Sequence, residues 1–97
     1  MRELLIKQEV NNKVDEITNF IINEYQMSIT AINYANRMLD FIYELKTHPY
    51  AHALCRQYFR EGGKYRCAVF EKKWIIKYVV TEKYVIVEDI IWGATIK

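Results

Sequence analysis

Between Tyr65 and Trp92 the chain carries three β-branched and aromatic runs: Tyr65-Arg66-Cys67-Ala68-Val69-Phe70, Trp74-Ile75-Ile76-Lys77-Tyr78-Val79-Val80 and Tyr84-Val85-Ile86-Val87-Glu88-Asp89-Ile90-Ile91-Trp92. Two polar connectors, Glu71-Lys72-Lys73 and Thr81-Glu82-Lys83, separate them. Runs of that composition favour strands, and connectors that short join neighbours as antiparallel hairpins. The last third of the chain is therefore predicted to be a three-stranded meander. Glu88-Asp89 interrupts the apolar last run, which predicts a bulge that re-aims the side chains beyond it. Such a sheet has two faces, and a chain of 97 residues has chiefly its first half with which to cover one of them.

That first half reads as mostly helical. Residues 4–10, Leu4 to Val10, partly alternate and are closed by Asn11-Asn12, which predicts a first strand and a helix N-cap at Asn12. Val14, Ile17, Ile21 and Tyr25 then recur at three- and four-residue steps, with Phe20 and Ile22 widening the stripe. The spacing predicts a helix ending near Tyr25, with Asp15 and Glu16 in its first turn. Ser28 caps a second helix that ends near Lys46, because Thr47-His48-Pro49 stops it. This second helix is greasy on two stripes, Ile32/Ala35/Leu39/Ile42 and Ala31/Tyr34/Met38/Phe41/Leu45. It is either sandwiched between the first helix and the sheet or covered by a partner. Residues 50–57 form an irregular connection, and Gln57-Tyr58-Phe59-Arg60 adds a short strand turned through Glu61-Gly62-Gly63-Lys64. The predicted fold is α+β, a single domain over 1–97 in the order β-α-α-β-β-β. Its helical hairpin packs on one face of a twisted, mostly antiparallel sheet.

Composition supports a folded core: 52% of residues are apolar and 27% charged, with one Pro and three Gly. No apolar run approaches the roughly 20 residues of a membrane-spanning helix, and Met1 to Lys7 stops too soon for a secretory segment. The cytoplasm is the expected compartment, with no membrane partner. Cys55 and Cys67 are accordingly expected as buried free thiols. The net charge of +2 averages two unlike halves: five Lys/Arg against seven acids in residues 1–48, nine against five in residues 49–97. Between Arg56 and Lys77, seven cations (Arg56, Arg60, Lys64, Arg66, Lys72, Lys73, Lys77) face two acids, Glu61 and Glu71. That surplus either attracts phosphates or an acidic partner, or forms a hydrated rim of turns.

The strand, the helical hairpin ending in Leu45-Lys46-Thr47-His48-Pro49, the segments Gly63-Lys64-Tyr65-Arg66-Cys67-Ala68-Val69-Phe70 and Trp74-Ile75-Ile76-Lys77-Tyr78-Val79-Val80, and the close Ile90-Ile91-Trp92-Gly93 together resemble the RelE/ParE superfamily of bacterial toxins. The resemblance spans nearly the whole chain. It implies the toxin of a type II toxin-antitoxin module, held inactive in a hetero-oligomer by a cognate antitoxin whose tail wraps it. Two branches share the fold and differ in target. The ParE-like branch poisons DNA gyrase by binding. The RelE-like branch is a metal-independent endonuclease that cleaves mRNA on the ribosome, using cations on the sheet face and an acid or base near the C-terminus.

RNA cleavage needs a group to take the 2′-hydroxyl proton, positive charge on the phosphorane and a donor for the leaving oxygen. Arg66 matches the family's strand arginine, and Arg60, Lys64 and Lys77 are expected to share its face. Tyr78 is the candidate acid and Glu61 a candidate base. Each has a plainer reading: Arg66 in structural pairing, Lys77 on the surface, Tyr78 in the core, Glu61 in a hydrated turn. Residues 91–97 hold no histidine, and Trp92 exchanges no proton, though it can stack on a base or fill a pocket. His48 and His52 are four apart, but Pro49 disfavours a helix through both and no third ligand is evident, so neither a metal nor a cofactor is expected. No glycine-rich phosphate loop, Ser/His/Asp order or CxxC spacing occurs.

The missing C-terminal proton carrier tilts the expectation towards a ParE-like binding inhibitor with Arg56, Arg60, Arg66, Lys77 and Trp92 as its surface. The ribosome and its mRNA are the alternative target, and a non-toxic interaction domain of the same fold is the third reading. The antitoxin is expected over Tyr34, Met38 and Phe41, or along the sheet.

Overall fold

Val10 belongs to the same helical stripe as Val14 and Ile17, and this fixes where the first helix begins. The computed structural model describes residues 2–26, 28–55 and 64–93. Strand β1 (Glu3–Ile6) is shorter than predicted, and α1 (Gln8–Tyr25) starts well before Asn12. Val10 and Val14 are both buried. Burying one valine is worth about 1.5–3 kcal/mol, whereas each asparagine inside a helix costs at most about 0.7 kcal/mol. The stripe therefore overrides Asn11-Asn12. Asn12 is no cap; its Oδ1 accepts a hydrogen bond from Gln8 Nε2 one turn back, 3.1 Å away. The helix ends with Gln26 in the left-handed region (φ 53°), its N–H donating to Ile22 O at 2.8 Å.

Helix α2 (Ser28–Glu44) begins as predicted and unwinds slightly early, through i→i−3 bonds from Leu45 N to Ile42 O and from Lys46 N to Tyr43 O. Ala31, Met38, Ile42 and Leu45 are buried. Tyr34 and Phe41 pack against the same core, their rings 5.7 and 5.3 Å from that of Phe70. The face expected to receive a partner is thus taken by the chain's own sheet, and the sandwiched reading of α2 is the correct one. Ile29, Ile32 and Tyr43 stay exposed on its outer side.

Strands β2 (Tyr65–Phe70), β3 (Trp74–Val80) and β4 (Tyr84–Trp92) coincide with the three predicted runs. The sheet order is β1-β4-β3-β2, with β1 parallel to β4 and the other pairs antiparallel. Ala68, Phe70, Ile76, Tyr78, Val85, Val87 and Ile90 form one core with Val10, Val14, Met38, Ile42 and Leu45 of the helices. The architecture is α+β, with the helices on one face. The predicted bulge lies at Glu88: Tyr78 pairs with Val87 while Lys77 pairs with Asp89. The extra residue changes the phase of alternation, so that Ile90 rather than Asp89 follows Val87 into the core.

Beyond the bulge β1 has ended, and α1 guards the bare edge of β4. Lys13 Nζ donates to Asp89 Oδ1 at 2.5 Å and to Ile90 O at 3.0 Å, while Ile90 N–H donates to the same Asp89 oxygen at 2.9 Å. At the other side of the sheet, residues 53–55 lie along the outer edge of β2. Cys55 N donates to Tyr65 O at 2.8 Å and Cys67 N to Ala53 O at 3.1 Å, around an antiparallel bridge between Leu54 and Arg66. This pairing brings the Cα atoms of Cys55 and Cys67 to 5.1 Å, and the two cysteines form a disulfide. The expectation of free thiols is corrected: a sequence separation of 12 does not reveal that the two residues are edge neighbours. The expected strand at Gln57–Arg60 and the turn at Glu61-Gly62-Gly63 lie outside the described residues. Among the described residues no helix is long and apolar enough to cross a membrane.

The β2–β3 turn is closed by Lys73 N–H donating to Phe70 O at 3.1 Å, with Glu71 and Lys72 at φ 47° and 62°. Positive φ costs a side chain about 1–2 kcal/mol, against about 0.5–1 kcal/mol for glycine's extra freedom when unfolded. Glu71 is held by Arg37, whose Nε lies 3.0 Å from Oε1, so Lys72 is the position to change. Lys72→Gly is expected to raise stability by about 0.5–1 kcal/mol, measured as a higher urea midpoint at unchanged slope.

Candidate functional site

Arg66 and Tyr78 are directly opposite in the β2–β3 register, so both project to the helix-bearing side. They do so past the end of α2, where the connection from α2 to β2 crosses. Pro49 ends any helical continuation and leaves the carbonyls of this connection available as acceptors. Tyr78 Oη donates to Pro49 O at 2.7 Å, and Arg66 Nη1 donates to His52 O at 2.7 Å. The ring of His52 lies edge-on to Tyr78 and Phe41, at 6.3 and 5.7 Å. Tyr50 completes the cluster: its ring centroid is 4.8 Å from Arg66 Cζ and 5.3 Å from Arg2 Cζ. Arg2 is itself placed by bonds from Nε to Thr81 O (2.7 Å) and from Nη2 to Tyr50 Oη (3.2 Å). Two guanidinium groups thus attend one exposed tyrosine ring.

Protonation in this cluster follows burial. The Tyr78 hydroxyl is pushed up to about 12, chiefly by burial, with the Arg66 charge opposing. Burial also lowers the His52 imidazole below its ordinary value, so it is neutral at pH 7. Tyr78 is therefore a buried hydroxyl bonded to a carbonyl, as the plainer reading of the sequence had it. Arg66 is structurally pinned as well, among the described residues through the main-chain oxygen of His52 and the ring of Tyr50.

The expectation that Lys77 shares the face of Arg66 is corrected by the register. Lys77 pairs with Cys67, one residue out of step with Arg66, and so projects from the opposite face of the sheet. There its Nζ lies 4.1 Å from the Tyr65 ring centroid, with Lys64 Nζ at 5.2 Å from the same ring. Arg2 and Arg66 thus gather around Tyr50 and Lys64 and Lys77 around Tyr65, with the sheet between the two pairs. Trp92 is removed from both. It pairs across the sheet with Trp74, ring centroids 4.9 Å apart, at the level of Phe70. That is four residues along β2 from Arg66, about 13 Å at roughly 3.3 Å per residue. Trp92, Trp74, Glu16, Ile17 and Phe20 line a shallow cavity of about 360 Å³. Arg56, Arg60 and Glu61 lie outside the described residues.

His48 and His52 sit in the turns and bends after α2 and not on a helix. Among the described residues no three His, Cys, Asp or Glu side chains are grouped to hold a metal ion. Sequence reasoning missed Arg2 and Tyr50. No spacing rule links residues 48 apart, and only the parallel entry of β1 beside β4 brings Arg2 to this corner. No protein-family model matches the chain, and no curated protein matches it.

Tyr78→Phe removes the bond to Pro49 and is expected to cost about 1 kcal/mol of stability. A hydroxyl near 12 when folded and 10 when unfolded favours folding fully below pH 10, and that contribution is lost as pH rises from 10 towards 12. Urea titrations of both proteins on either side of pH 10 should show the wild-type advantage shrinking with alkali.

Proposed function

We propose that this chain is the toxin of a type II toxin-antitoxin module of the RelE/ParE kind, acting in the cytoplasm as a binding inhibitor of DNA gyrase. The β-α-α-β-β-β order with both helices on one face is the fold that the sequence resemblance implies. The observation that carries the choice of mechanism is the separation of chemical groups. Arg66 is gripped by His52 O and Tyr50, its neighbour Tyr78 keeps its proton to about 12, and Lys77 stands on the other face. Among the described residues this arrangement offers positive charge and an exposed aromatic ring without an adjacent proton relay, which suits gripping a macromolecule better than cleaving RNA. The runner-up, ribosome-dependent mRNA cleavage, is favoured by the cation surplus between Arg56 and Lys77.

With Tyr34, Met38 and Phe41 occupied by the core, the antitoxin of this reading lies along the sheet. The face away from the helices offers exposed Leu5 and Val69, with Ile75, Ile86 and Ile91 half-buried beside them.

Induction of the chain alone is expected to arrest bacterial growth, and purified chain to inhibit supercoiling of relaxed DNA by gyrase. Arg66→Ala, with its fold verified by circular dichroism, should weaken that inhibition roughly tenfold or more, the factor that 1.4 kcal/mol of binding represents. Codon-positioned RNA ends after induction would transfer the assignment to the nuclease. Normal growth at good expression would leave a non-toxic interaction domain.

A further inference from the structure

We infer that the Cys55–Cys67 disulfide is a reducible latch that fastens residues 50–55 against the edge of β2 and Arg66. Four observations converge on this. Among the described residues, the 53–55 segment meets β2 through an isolated bridge at Leu54 and Arg66 with two main-chain hydrogen bonds, a small pairing that gains from a covalent tie. The disulfide crosses that bridge on the diagonal, joining the residues that follow Leu54 and Arg66 on strands running in opposite directions. The same connection supplies His52 O to the Arg66 guanidinium and the Tyr50 ring beside it. Finally, the two residues are unequal: Cys55 is buried at 3% exposure, whereas Cys67 is only half-buried, on the sheet face away from the helices.

The asymmetry sets the direction of exchange. A thiolate of a small thiol such as glutathione attacks the sulfur of Cys67, the S–S bond breaks, and Cys55 departs with the electron pair and takes up a proton. A second thiolate attacks the glutathione sulfur of the mixed disulfide, releasing Cys67 as thiolate, which is protonated in turn, and oxidised glutathione. Two thiols supply the two electrons and two protons. Lys77 is paired directly with Cys67 across the ladder, so the two share the face of the sheet away from the helices. With the bridge open, the 53–55 segment detaches, the edge of β2 is bared and His52 O releases Arg66. The oxidised chain is the covered state and the reduced chain the open one. This inference stands independently of the toxin reading, because its readout is backbone protection and not growth.

The test uses the full chain with and without millimolar reduced glutathione. Free thiols are counted by mass after alkylation, and amide hydrogen exchange is followed residue by residue. Both cysteines should become alkylated. Exchange at the Cys55 and Cys67 amides should accelerate roughly tenfold or more beyond any change at Ile76 and Val85 in the sheet interior. Cys55→Ser should show the fast edge exchange without reductant; if that variant does not fold, Cys67→Ser serves the same purpose. A bridge that resists glutathione, edge amides unchanged after reduction, or equal acceleration throughout the sheet would each overturn the latch. The last result would mark the bridge as a staple for the whole fold.

Discussion

Side chains leave a strand on alternate faces, and here the helical hairpin occupies one face only. That constraint decides where Arg66, Lys77 and Asp89 are carried. Arg66, in phase with Ala68 and Phe70, is carried to the helix side, where it meets Tyr50 and the carbonyl of His52. Lys77, one residue out of phase, is carried to the other side and to Tyr65. A bulge of one residue at Glu88 performs the same sorting on β4, sending Ile90 inward and leaving Asp89 for Lys13. Arg66 and Lys77, which read as members of one cationic stretch, are thereby placed on opposite faces of the sheet.

The division also bears on chemistry. An arginine beside a tyrosine in one strand pair suggests an acid placed next to a charge. In the fold, burial holds the Tyr78 hydroxyl protonated, and the proton it donates goes to the carbonyl of Pro49. His52 is neutral at pH 7 for the same reason, low exposure to water. Water exclusion at this corner turns groups with catalytic potential into fasteners for the connection that crosses them. What remains outward is the aromatic ring of Tyr50 with its two guanidinium neighbours.

The sheet was legible because its signals are local: composition, alternation and three-residue connectors mark Tyr65–Phe70, Trp74–Val80 and Tyr84–Trp92 without reference to the rest of the chain. The start of α1 was not, because two asparagines next to a buried valine pose a contest between propensity and burial that only the core at Val10 decides. The surplus of apolar surface on α2 was readable, but not its recipient; Phe70 and its neighbours are remote in sequence from Tyr34 and Phe41. The site is the least legible part. Arg2, Tyr50, the disulfide partners and the opposed faces of Arg66 and Lys77 all depend on strand register and chain crossing, which no residue pattern encodes on its own.

The three borders of the sheet are each closed by a different means. β1 is only four residues long, the distal half of β4 is stoppered by the Lys13–Asp89 ion pair, and β2 is roofed by a covalently tied segment. These guards fail under different solution conditions. Concentrated salt screens the ionic stopper and a thiol reagent opens the covalent roof, while neither alters the length of β1. A solution both saline and reducing thus weakens two of these guards at once.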